Sequence, residues 1–116
     1  MQIVRLYTGS DQKSHFEDIE VKFDGDQQIL TTDPRPATSA AFRCVHPGSV
    51  LERHTAPRRQ LVVTLSGSWE IEASAGVART FKAGDVMLAD DTTGEGHISR
   101  VIGNESHVFM TVPLAN

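Results

Sequence analysis

One cysteine, Cys44, stands in the whole chain. No disulfide can close within it, which suits a reducing compartment. No apolar run approaches the ~20 residues of a membrane-spanning helix. Met1 to Ser10 holds no apolar stretch long enough for a signal peptide, so no membrane association is expected and the expected location is the cytoplasm. Positive charge is scarce: 11 Lys and Arg against 15 Asp and Glu leave a formal charge of −4. That argues against a nucleic-acid partner, because a phosphate-binding surface needs clustered Lys and Arg. The one basic cluster, Arg53 with Arg58 and Arg59, suits a single anionic ligand better than a polymer. Gly94-Glu95-Gly96 looks like a fragment of a phosphate-cradling loop but lacks the strand-loop-helix context such loops need. It reads instead as a loop whose glycines let the chain pass close to a barrel mouth. Asn104-Glu105-Ser106 forms an isolated glycosylation triplet with nothing else to suggest secretion.

What the chain does have is alternation. At 116 residues, 39% apolar and 22% charged, it fits one soluble domain with a single real core. Ser39 to His46 is a strand candidate ended by the turn signal Pro47-Gly48. Gln60 to Leu65 is apolar on both faces, as expected of a strand covered on two sides. After Ser66-Gly67-Ser68, Trp69, Ile71 and Ala73 share one face while Glu70 and Glu72 point to water, and the pair reads as a hairpin. Val77 to Phe81, Val86 to Leu88, His97 to Ile102 and Ser106 to Val112 continue the series, with Gly-containing turns between. Short strands at about ten-residue spacing point to an antiparallel sandwich or barrel. Ile3 to Tyr7 reads as an edge strand, Ser14 to Phe23 as a helical turn or loop, and Thr31 to Thr38 as an extended connection. Residues 1–38 are thus expected as an arm of the same domain, and 39–116 as its core.

With the strands placed, the spacing around His54 resembles the first cupin motif, G(x)5-H-x-H-(x)3-4-E-(x)6-G. Gly48 precedes His54 by five intervening residues, Ala56 fills the second histidine slot, Gln60 the glutamate slot, and Gly67 closes the frame. The second motif, G(x)5-P-x-G-(x)2-H-(x)3-N, begins at Gly84, with Asp90 in the proline slot, His97 two residues late and Val101 in the asparagine slot. The resemblance covers Ser39 to Val112. It implies an all-β, single-domain cupin-type β-barrel (a double-stranded β-helix, or jelly roll), with a homodimer as the family habit. The double-sided apolar strand Gln60 to Leu65 supports the same homodimer.

The resemblance carries two of four usual metal ligands onto this chain, His54 and His97, with Gln60 beside them. Neutral imidazoles suit a divalent transition metal such as Zn, Fe, Mn or Ni, and Gln60 can lend an amide oxygen. A missing carboxylate could come from Glu95 or Asp90. His54, Ala56, Arg58 and Gln60 share parity, so the two histidines are expected to converge across the barrel. The leading expectation is an enzyme on a small polar or carboxylated metabolite, with His54, His97 and Arg58 catalytic and a metal on His54, Gln60 and His97. Isomerase or lyase chemistry is favoured over dioxygenase chemistry because glutamine holds the carboxylate slot. A metal-free site, with His54 as base and Arg58 or Arg59 as anion clamp, stands equally open. So does a metal-independent binding or sensing domain walled by Val62, Val101 and Phe109. His15, His46 and His107 read as structural or exposed, although His107 alternates with Phe109 and Thr111 and can face inward.

Overall fold

The computed structural model describes residues 1–115 and consists of strands and turns. In chain order the strands are β1 (Gln2–Thr8), β2 (Ser14–Glu20), β3 (Asp24–Gly25), β4 (Leu30–Thr31), β5 (Ala41–Val45) and β6 (Val50–His54). There follow β7 (Gln60–Ser66), β8 (Ser68–Ala73), β9 (Ala78–Lys82), β10 (Val86–Asp90), β11 (His97–Ile102) and β12 (His107–Pro113). Among the described residues no helix is long and apolar enough to cross a membrane.

Two sheets face each other. One has six strands in the order β2-β1-β10-β7-β12-β5, the other four in the order β6-β11-β8-β9, and β3-β4 forms a small separate hairpin. The sheets do not close on one another, so the barrel is the open double sheet of a jelly roll. The core lies between them. Leu6, Val62, Met87 and Ala89 from the larger sheet meet Trp69, Ile71, Ala73 and Phe81 from the smaller. The alternation that marked β8 is realised, with Trp69, Ile71 and Ala73 buried. On its other face Glu70 and Glu72 accept hydrogen bonds from the Arg100 guanidinium at 3.0 and 2.9 Å.

Three expectations change. Ile3 to Tyr7 is no edge strand: β1 sits between β2 and β10, pairing parallel to the latter. Ser14 to Phe23 is not helical, since its first seven residues make β2, the true edge. The parity expected to join His54, Ala56, Arg58 and Gln60 does not run along one strand. The chain there is the end of β6, a crossing link of residues 55–59, and the start of β7 in the opposite sheet. On β7 the inner face, Val62 and Thr64, is buried, whereas Leu61 and Val63 on the outer face are half-buried and Leu65 is exposed.

Candidate functional site

The two histidines separated by 43 positions in sequence are neighbours in space. His54 ends β6, His97 begins β11, and in that antiparallel pair they stand directly opposite each other. Residues so paired have their side chains on one face, close together, and the imidazole centroids lie 4.5 Å apart at 57°. They are thus adjacent on one sheet rather than facing across the barrel. Gly96 lets this happen. Its φ of 76° is left-handed, and a side chain there would run into the His54 carbonyl, so only glycine brings the two backbones this close.

Each ring has one nitrogen engaged and one free. His54 Nδ1 lies 2.7 Å from the Glu52 carbonyl oxygen. A carbonyl only accepts, so Nδ1 carries the proton and Nε2 keeps its lone pair. His97 Nδ1 lies 2.5 Å from Asp91 Oδ2, and donates to that carboxylate, again leaving Nε2 free. Asp91 is fully buried, its Oδ1 has no partner among the described residues, and its main-chain oxygen accepts from Ala56 N–H at 3.1 Å. A buried carboxylate behind a histidine fixes both ring orientation and tautomer.

The carboxylates expected from the sequence are placed elsewhere. Asp90 points outward and accepts from Arg5 Nε and Nη2 at 3.0 and 2.8 Å, with Arg59 at 3.5 Å. Glu95 is exposed in the loop. Strand parity was the available signal for Asp91: if Ala89 faces inward, so does the residue two further on.

The histidines line a cavity of about 370 Å³ between the sheets, at the small end for a ligand site. Gln60, the first residue of β7, lines it from the opposite sheet, as do Val62 and Phe109, while Arg58 lies at its mouth. Val101 lines instead a separate pocket of about 40 Å³. The basic cluster divides: Arg58 reaches the cavity, Arg59 turns to Asp90, and Arg53 is exposed on β6. Arg43 of β5, which sequence reasoning missed, joins the lining, its Nε donating to Thr111 Oγ1 at 3.3 Å. A larger groove of about 730 Å³ lies on the outer face of the six-stranded sheet. No histidine lines it.

His107 is inward and buried, but it serves the wall. It stacks with Trp69 at 4.7 Å and Phe109 at 4.5 Å, and its Nε2 is hydrogen-bonded to Thr64 Oγ1 at 3.0 Å. Burial lowers its pKa from 6.5 to about 4, so at neutral pH it is an uncharged core group. His15 is paired with Asp11 at 2.9 Å, and His46 is exposed.

The cavity offers two oriented imidazole nitrogens and, on the opposite wall, the Gln60 amide oxygen as donors. Among the described residues no three His, Cys, Asp or Glu side chains group as a metal site would need.

No family model and no curated protein matches the chain significantly. Solved structures do. An uncharacterized conserved protein with a double-stranded β-helix domain from Klebsiella pneumoniae matches with a TM-score of 0.53 at 23% identity, over 77% of this chain and 90% of that one. A cupin 2 conserved barrel domain protein from Salinispora arenicola matches with a TM-score of 0.55 at 18% identity, over 80% and 79%. The Cnp3 cupin domain of Schizosaccharomyces pombe matches with a TM-score of 0.52 at 15% identity, over 97% and 87%. Identities this low carry the architecture and nothing of the activity. Two facing sheets, the glycine-framed histidines between them and these likenesses together give the chain the fold of a cupin, a double-stranded β-helix.

Proposed function

We propose that this chain is a small-molecule cupin enzyme acting on a small polar or carboxylated metabolite at the His54–His97 pair. One observation carries the reading: two imidazoles 4.5 Å apart line one cavity, each held through Nδ1 with Nε2 free. His54, His97 and Gln60 are the residues that would hold a divalent transition metal (Zn, Fe, Mn or Ni), which when bound polarises a substrate oxygen. Asp91 keeps the His97 ring in one orientation, and Arg58 at the mouth meets an anionic group on the substrate. The apolar side of the cavity, Val62, Met87 and Phe109, displaces water from the reacting end. Because Gln60 stands where an iron-oxygenase site has its carboxylate, isomerase or lyase chemistry is favoured over dioxygenase chemistry.

A second reading, metal-independent binding of a small anion, is favoured by the charge of the wall: no acidic side chain lines the cavity, while Arg43 and Arg58 do. In that form the free Nε2 of His54 is a hydrogen-bond acceptor or base, and the arginines balance the charge. Elemental analysis of untagged protein separates the two. The first predicts close to one equivalent of metal, or its uptake when Mn, Fe, Ni or Zn is added, abolished by His54→Ala. No retained or added metal overturns it.

A homodimer is proposed on the outer face of the six-stranded sheet. There Phe42, Met110, Val63 and Val86 form a cross-strand row without a charged member, and Phe42 is 77% exposed.

A further inference from the structure

Arg43 stands exposed on an edge strand and also lines the central cavity. Its cross-strand partner is Phe109. One of its nitrogens, Nε, is held by the Thr111 hydroxyl at 3.3 Å. That bond ties one side of the guanidinium and leaves its two terminal amino groups without a protein acceptor among the described residues. No Asp or Glu on the cavity wall neutralises it. An oriented guanidinium with two free donors matches the two oxygens of a carboxylate.

The wall beside it carries an aromatic and aliphatic patch among its polar residues. Phe109 lies nearly parallel to Trp69, 11° between planes and 5.8 Å between centroids, and both line the cavity with Val62 and Met87. A planar apolar body packs against these side chains without leaving a polar group of its own unmatched there.

We infer that the site selects small carboxylates with a planar apolar body, Arg43 taking the carboxylate and Phe109 the body, within the cavity that the imidazole pair also lines. This rests on the cavity being the ligand site, as proposed above. Arg43 then acts as the specificity-determining residue, a role separate from that of the histidines.

Three probes differing in one feature each test it, with binding followed by NMR on protein carrying labelled histidine rings. Phenylacetate has both charge and body, 2-phenylethanol lacks the charge, and acetate lacks the body. Phenylacetate is expected to bind roughly ten- to a hundredfold more tightly than 2-phenylethanol, the scale of hydrogen bonds to a charged group. It is expected to exceed acetate by at least about tenfold. It should also shift the ring resonances of His54 and His97. Arg43→Gln, at unchanged melting temperature, should close the gap between phenylacetate and 2-phenylethanol and leave 2-phenylethanol binding as before.

Equal binding of phenylacetate and 2-phenylethanol, or a preference for charge that survives Arg43→Gln, overturns the inference. If the ring resonances still move in that case, the cavity remains the ligand site and only the ligand class is wrong. Phenylacetate binding that leaves both rings unmoved overturns the inference together with the cavity reading beneath it. Absence of phenylacetate binding also overturns the inference, while the metal analysis tests the histidine pair separately.

Discussion

Acid should weaken this fold through one buried ring. His107 is 1% exposed and stacked against both Trp69 and Phe109, and burial holds its pKa at about 4 against 6.5 for a solvated imidazole. Above pH 6.5 neither folded nor unfolded chain binds this proton, and the stabilisation from a neutral ring is complete. Below it the unfolded chain binds a proton that the folded chain refuses, so stability falls until the folded ring titrates near 4. At ~1.4 kcal/mol per pH unit, the loss between about pH 7.5 and about pH 4.5 comes to about 2.5 kcal/mol. The carboxyls held below the usual 3.8 do not enter this window. They are Asp11, beside His15, and Asp26, which accepts the Ile29 and Gln28 amides. Their contribution is present above 3.8 and is lost only at lower pH. The control is Thr64→Val with His107→Phe, which removes both ends of the 3.0 Å hydrogen bond and leaves no orphaned polar group. Urea unfolding at the two pH values should show the natural chain losing about 2.5 kcal/mol more than the double variant at unchanged m-value. An equal loss in both proteins would refute the reasoning.

Two further outcomes follow. Asp91→Asn removes the carboxylate behind His97, and metal uptake, measured by titration with Zn, should weaken roughly 10- to 100-fold; unchanged affinity would mean that Asp91 does not orient a ligand. Phe42→Asp places a charge in the apolar outer row and should shift the sedimentation of the protein from dimer to monomer, with no change in its circular dichroism.

The sequence displays its core better than its edges. β7, β8, β11 and β12 bury one face more than the other, and burial imposes the alternation that makes a strand readable, while β10 is buried on both faces and reads as a short apolar run. β6 and the latter part of β2 are mostly exposed edge segments; nothing selects an apolar period there, and both escape a reading by pattern. The glycine frames located His54 and His97, but not their relation. That depends on the β6–β11 pairing, which no local pattern encodes, and so neighbours on one sheet were expected to face each other across the barrel. Arg43 was hidden for the same reason, since only the β5–β12 register sets it beside Phe109. Asp90 and Asp91 are adjacent acids whose fates are decided by parity alone. One faces the arginines outside, and the other is sealed behind His97.

The account stands on both rings offering a free Nε2 into one space. Long-range proton–nitrogen NMR of the histidine rings at about pH 8, above the ordinary imidazole pKa, reads this directly. The expected spectrum has Nδ1 protonated and Nε2 bare in both His54 and His97, with an Overhauser contact between the rings. A proton on Nε2 of either ring, or rings too far apart for that contact, would contradict it.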